Sequence, residues 1–237
     1  MAIDANQIEN HLVEGELEVT GRLVDASNAT LFGHVKTKGE TIDVIYKPIA
    51  GERPLWDFPD GTLAGREVAS YHLSQFGNFH VVPLTILRDG PFGVGAVQQW
   101  IEVDDDIDII ALAQSQDHRL RKMALFDAVA NNTDRKIGHL LPTKDGLLLG
   151  CDHGVCFHME DKLRTVLWQW MGQSLTQEEC VQLQSMLDRF EEFADKVQEL
   201  LTGEEVTATK MRITRLLDEG SFPYPSEEWP AVPWPPI

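Results

Sequence analysis

No run of apolar residues in this chain approaches the roughly 18 that a membrane-spanning helix requires. The opening MAIDANQIENHLVEGELEV is acidic where a secretory leader is basic and then apolar. The expectation is a cytoplasmic protein with no integral membrane association. Cysteine is scarce: Cys151, Cys156 and Cys180 are an odd number and too few to staple a 237-residue chain, which argues against a disulfide scaffold and for reduced thiols. Basic residues are outnumbered 20 to 38 by acidic ones, for a formal net charge of -18. Such a field repels phosphate backbones and anionic bilayer surfaces, so neither nucleic acid nor acidic lipid headgroups are expected as partners. Internal repeats are absent as well.

What is present reads as an α+β chain. Three runs rich in β-branched and aromatic residues, GELEVTGRLV, ATLFGHVKTK and TIDVIYKPI, are separated by turn-forming segments at 25–28 and 38–40, which predicts a β-meander. A loop rich in Pro, Trp and Gly (52–61) leads to TLAGREVASYHLSQF, where Leu63, Val68, Tyr71 and Leu73 fall near one helical face before Gly77. Two further strand-like runs, VVPLTILR and GAVQQWIEV, are joined by the turn DGPFGVG. From Ile107 the pattern predicts a helix reaching Asn131, then a Gly-containing hairpin, HLLPTKDGLLLGCD, then long helices to Leu217. Thr176 with Glu179 makes a capping box opening the helix QEECVQLQSMLDRFEEFADKVQELL, expected to stop at Gly203. The tail SFPYPSEEWPAVPWPPI, dense in Pro and Trp, favours extended geometry. These patterns divide the chain into a sheet-rich N-lobe (1–102), a helical C-lobe (103–220) and a Pro/Trp-rich tail (221–237).

Phosphoryl transfer requires a cation on the nucleotide phosphates, metal ligands, and a group that orients the acceptor hydroxyl. Lys47, at the end of the strand in VIYKP, shares a face with Ile45 opposite Val44 and Tyr46. Glu67 lies in the helix that follows, where a carboxylate could hold that ammonium against the α- and β-phosphates. A solvated strand-end lysine and a surface helix glutamate are the plainer readings of each alone. The more specific signal is NNTDRKIGH followed by LLLGCDHG: a helix end, a loop bearing Asp134, then a hairpin delivering Asp152 into Asp-His-Gly. That is the order of a kinase catalytic loop and metal-binding loop.

On these motifs residues 21–175 resemble a minimal atypical kinase of the phosphatidylinositol 3- and 4-kinase-like superfamily, of an actinobacterial type. The resemblance implies a two-lobed protein-kinase-like fold with a small antiparallel-sheet N-lobe and a mainly helical C-lobe. It implies Asp134 as the catalytic base or the residue that orients the hydroxyl, Asp152 as the main metal ligand, and Lys47 with Glu67 as the phosphate clamp. The loop 25–30, with Ser27 and Asn28, would cover the phosphates, and residues 98–101, including Gln98, Trp100 and Ile101, would form the hinge against the base. Where these kinases place an Asn as second metal ligand this chain has His139, a donor better suited to Mn²⁺ than to Mg²⁺. Lys136 stands where protein kinases carry a Lys that approaches the transferring phosphate. Asp-His-Gly replaces Asp-Phe-Gly, so the switching role of that Phe does not carry over. Arg135 either braces the loop through an ion pair or is simply solvated.

Other readings compete. Cys151, His153, Cys156 and His158 offer four zinc-type ligands in CDHGVCFH, although structural zinc draws its ligands from two separated segments. GPFGVG has the glycines of a phosphate loop but no helix after it, which favours a hairpin turn. His80 and His118 read as ordinary histidines. The function expected is a kinase using ATP or GTP with Mg²⁺ or Mn²⁺ on a hydroxyl acceptor. Protein Ser/Thr, including its own, is favoured over a small molecule or lipid. The alternative class is a nucleotide-binding pseudokinase acting as an interaction module.

Overall fold

The computed structural model describes residues 5–23, 28–37 and 39–237; Ser27, one of the residues expected over the phosphates, lies outside them. A five-stranded antiparallel sheet is built from β1 (Glu16–Arg22), β2 (Leu31–Lys36), β3 (Thr41–Pro48), β4 (Thr85–Gly90) and β5 (Gly93–Gln99), in spatial order β1-β2-β3-β5-β4. Alternation along β3 buries Val44 and Tyr46 with Leu17, Val35, Ile86 and Val97 on one face, which turns Lys47 to the other. β3 pairs Lys47 with Ala96 and Pro48 with Gly95. Gly95 is required there, because a Cβ would stand 2.5 Å from the carbonyl oxygen of Lys47.

Helix α1 (Ala5–Glu14), which the composition does not announce, covers the sheet through Ile8 and Leu12. The long helix α2 (Leu63–Phe76) is buried along nearly its whole length and ends at Gly77. Its Ala64 and Val68 pack on Ala96 of the sheet, while Ala69 and Leu73 join the larger core behind it. That larger core belongs to the helical lobe. It gathers Phe79, Phe126, Phe157, Trp170 and Phe193 from the segments around α3 (Ile109–Ala113), α4 (His118–Ala130), α5 (Gln177–Asp188), α6 (Phe190–Val197) and α7 (Gly203–Glu219). A short hairpin, β6 (Leu140–Pro142) and β7 (Leu148–Gly150), stands between α4 and the loop bearing Asp152.

Several boundaries differ from the sequence pattern. β4 begins at Thr85 rather than Val81, because the N–H groups of Val81 and Val82 donate to the Ser74 hydroxyl instead of a ladder. The helix expected from Ile107 is broken: Asp108 and Asp117 cap two separate helices, accepting backbone N–H groups of Ile110 and Ala111, and of Arg119. The capping box at Thr176 and Glu179 is present, but that helix ends at Asp188, and α6 starts anew after Arg189. Gly203 opens α7 instead of closing its predecessor, since Thr202 and Glu205 form a second capping box there. The tail contains no helix and returns along the helical lobe. Thr165 N donates to Ala231 O, Trp168 Nε1 to Ala231 O, and Ile137 N to Pro236 O.

Candidate active site

The sheet, α2, the Asp134 loop and the Asp152 loop converge on one cavity lined by Asn28, Ala29, Thr30, Lys47, Pro48, Glu52, Leu63, Ala64, Glu67, Asp134, Asp152, Gly154 and Val155. Its volume of about 90 Å³ falls below the roughly 300–1,000 Å³ of clefts that take whole ligands. Lys47 Nζ donates to Glu67 Oε1 and to Asp152 Oδ1, both at 2.5 Å. Burial alone pulls the Lys47 ammonium down, but the two carboxylates outweigh it and hold it well above its ordinary value. The same ammonium holds the Asp152 carboxyl well below the usual range against the opposing effect of burial.

Glu67 is fixed from both sides. Its neighbour Arg66 is buried, pairs with Glu205 of α7 and donates to Cys156 O at 2.9 Å, which pins α2 to the helical lobe. Glu67 Oε2 accepts His153 N at 3.0 Å, so one carboxylate joins the strand lysine to the Asp-His-Gly loop. Asp152 itself adopts φ 56°, the left-handed region that non-glycine residues seldom enter.

The Asp134 loop rests on a buried scaffold. Arg135 is an ion-pair brace and not a solvated side chain: its guanidinium reaches Asp127 of α4 bidentately, at 2.9 and 2.8 Å, with both side chains fully buried. Arg135 Nη2 also lies 2.7 Å from His153 Nε2. His153 is held neutral, far below its ordinary value, by burial and then by this guanidinium. Asn132 Oδ1 accepts Asp134 N at 3.0 Å and fixes the loop. Asp134 pairs with Lys136 at 3.2 Å on one oxygen and approaches Arg164 at 3.9 Å on the other. Burial raises its carboxyl, against the two cations and with help from Asp152.

His139 Nε2 lies 3.4 Å from Asp152 Oδ2, while Nδ1 is 3.5 Å from the N–H of Lys136. Nδ1 accepts the Lys136 N–H, which puts the ring proton on Nε2, toward Asp152; ligating a metal through Nε2 would require that proton to move to Nδ1 and the Lys136 bond to break. Burial pushes this imidazole down to about 4, which keeps it neutral. Among the described residues no three His, Cys, Asp or Glu side chains form a ready metal cage.

Of the other residues singled out by sequence, Asn28 lines the cavity and its Oδ1 accepts Arg53 N at 2.9 Å. Gln98, Trp100 and Ile101 lie outside the cavity lining, at and after the end of β5. Gln98 donates to Thr85 Oγ1 at 2.8 Å, and Trp100 packs edge-on against Phe32. The four zinc-type ligands have separate environments: Cys156 is in the core, His153 faces Arg135, and His158 meets Phe58 and Lys162. Burial pushes the Cys151 thiol up to about 12, so at neutral pH it stays a thiol rather than a thiolate. Sequence reasoning did not reach Asp127, Glu52 or Arg164. Asp127 could have been found as a polar residue inside an otherwise apolar helical stretch; nothing in the local sequence marks the other two.

No family model matches the chain. Among solved structures it is similar to the Golgi casein kinase with Mn/ADP bound, with a TM-score of 0.61 and 12% identity over 92% of this chain and 76% of that one. It is also similar to the Helicobacter pylori proinflammatory kinase CtkA, with a TM-score of 0.51 and 10% identity over 89% and 94%. At such identities these likenesses show the fold alone, which is protein-kinase-like. Protein Rv2133c of Mycobacterium tuberculosis (strain ATCC 25618 / H37Rv) is 39% identical over an alignment of 263 residues that takes in 94% of this chain and 93% of that protein. This chain belongs to the family of Rv2133c.

Proposed function

We propose that the chain is a nucleotide-dependent phosphotransferase that moves the γ-phosphoryl group of ATP or GTP to a hydroxyl, within the phosphatidylinositol 3- and 4-kinase-like superfamily. The observation that carries this reading is the Lys47 ammonium held between Glu67 and Asp152, with Asp134 on the same cavity. Lys47 is placed to neutralise nucleotide phosphates, and Glu67 fixes its position. Asp134, its carboxyl raised by burial, orients the acceptor hydroxyl and takes its proton as the oxygen bonds to the γ-phosphorus. The bond from that phosphorus to the bridging oxygen breaks, and the nucleoside diphosphate leaves with the electron pair. Asp152 and His139 would hold Mg²⁺ or Mn²⁺, which supplies charge neutralisation at the β- and γ-phosphates. The neighbouring casein kinase binds Mn/ADP, which supports nucleotide and divalent metal here.

The cavity takes the phosphates, the segment around Asn28 covers them, and the base lies against residues 98–101, between an N-lobe of 1–102 and a helical lobe of 103–220. The acceptor favoured is protein Ser/Thr, including the chain's own, in the cytoplasm. The test is transfer from γ-labelled ATP or GTP with Mg²⁺ or Mn²⁺, comparing wild type with Asp134→Asn and Asp152→Ala. Both substitutions are expected to lower transfer by about 10²-fold or more. Nucleotide consumption that is indifferent to Asp152→Ala would overturn the proposal, and tight nucleotide binding with no transfer to any acceptor would favour the pseudokinase.

A further inference from the structure

Arg164 meets Asp134 from outside the cavity that Lys47, Glu67 and Asp152 line. Its backbone is fixed. Arg164 N donates to Asn132 O, its carbonyl accepts Arg135 N, and Val166 N donates to Arg135 O, so residues 164–166 run beside the catalytic loop as a short parallel pairing. Its guanidinium is by contrast almost unused. Its ion-pair partner is Asp134, whose Oδ1 stands at 3.9 Å, beyond hydrogen-bond range, and Nε is buried without a partner. The four Nη donors of a rigid fork are thus held at the edge of the proposed base while making no hydrogen bond among the described residues, with Nε itself out of reach of solvent. The side chain is 32% exposed, which leaves it open to an incoming group.

The other cation near Asp134 has a different place. Lys136 is engaged with Asp134 Oδ2 at 3.2 Å, on the opposite oxygen from Arg164. The ground beside both is framed by the tail, whose Ala231 and Pro236 carbonyls receive Thr165 N and Ile137 N. Nucleotide phosphates approach Asp134 from the cavity, so this framed side remains for the acceptor. A planar guanidinium with free donors matches a carboxylate bidentately. On a chain of net charge -18 an acidic acceptor is repelled at long range over most of the surface, so only a close contact of this kind can favour it.

We infer that Arg164 sets acceptor specificity, taking a carboxylate of an acidic peptide beside the Ser or Thr hydroxyl presented to Asp134. This rests on the phosphotransferase reading for the hydroxyl, but the peptide contact can be measured without transfer. The probes are fluorescent Ser peptides in matched pairs, identical except that Glu residues flanking the Ser are replaced by Gln. Wild type should bind the Glu peptide about tenfold more tightly, a difference of about 1.4 kcal/mol. Arg164→Gln should bring the pair to equal affinity. Arg164→Glu should reverse the preference in favour of a Lys-flanked peptide, a gain that misfolding cannot produce. Where transfer is measurable, the same changes should appear in KM for the peptide more than in kcat.

Equal binding of the Glu and Gln peptides by wild type, or a preference that survives Arg164→Gln in a protein with an unchanged melting temperature, overturns the inference. An Asp152→Ala variant that still consumes nucleotide at the wild-type rate would instead sink the phosphotransferase reading while leaving the peptide preference standing.

Discussion

Lys47 has two carboxylate partners that are not equivalent. Glu67 is 4% exposed and holds both Lys47 and the His153 amide, whereas the Asp152 side chain is 49% exposed and opens onto the cavity. Removing charge from the buried partner leaves an ammonium facing an amide and weakens a link between the lobes. Glu67→Gln is therefore expected to lower stability by about 1–3 kcal/mol in urea denaturation and to weaken nucleotide binding through a less constrained Lys47. Asp152→Asn acts differently: water can replace part of what it loses, so the urea midpoint should fall by less than in Glu67→Gln while transfer fails. A pair of variants in which Asp152→Asn is the more destabilising would mean that the clamp is held together from the metal loop rather than from α2.

At the scale of elements, the Asp134 loop is built by an ion pair that never meets solvent. Asp127 on α4 and Arg135 on the loop are both fully buried and joined by two hydrogen bonds. Truncating one partner leaves the other charge buried and uncompensated, so Asp127→Ala should cost about 3–5 kcal/mol; a shift in urea midpoint worth under about 1 kcal/mol would mean that the pair is not what holds the loop. The order of elements was legible because the signals for it are local. Strand alternation around Val44 and Tyr46, Gly77 after α2, the Thr176 and Glu179 box, and the spacing from Asp134 to Asp152 all lie within short windows. What was not legible was either a competition between local signals or a tertiary pairing. Thr202 and Glu205 spell a helix start as clearly as Thr176 and Glu179 do, yet Gly203 reads first as a stop. The side chains of α2 show only a weak stripe because packing surrounds that helix on nearly every side. Arg66 with Glu205, Lys47 with Asp152, and Arg164 beside Asp134 join segments far apart in the chain, and no window contains them.

Across the whole molecule, three imidazoles are held neutral by burial: His139, pushed down to about 4, His153, pushed well below its ordinary value, and His72, lowered as well, with Lys196 adding to the effect. In the unfolded chain each protonates near its usual pKa of about 6.5. Below that pH the unfolded state binds more protons, so stability rises with pH through this window and is lost as the pH falls towards 4. Each histidine can contribute up to about 1.4 kcal/mol per pH unit across the window. Asp134 works in the opposite sense, because its raised carboxyl loses stability as pH rises through its folded value. The carboxylates whose values are lowered, among them Asp117, Glu179 and Asp152, act only at more acid pH, which leaves the range from about 6.5 to 5 to the histidines. The protein's net charge shrinks over the same range towards a pI of about 4.7, relieving self-repulsion and so favouring the folded state; salt at about 0.2 M screens most of that term. Urea midpoints measured in such salt, with chelator present, should therefore fall steadily from pH 6.5 to 5. His139→Asn should flatten the slope by up to one proton's worth, since an amide cannot titrate. A slope unchanged by that substitution would mean that His139 is already protonated beside Asp152 in the folded protein. It would then act as a charge partner to Asp152, and its place as a metal ligand would be lost.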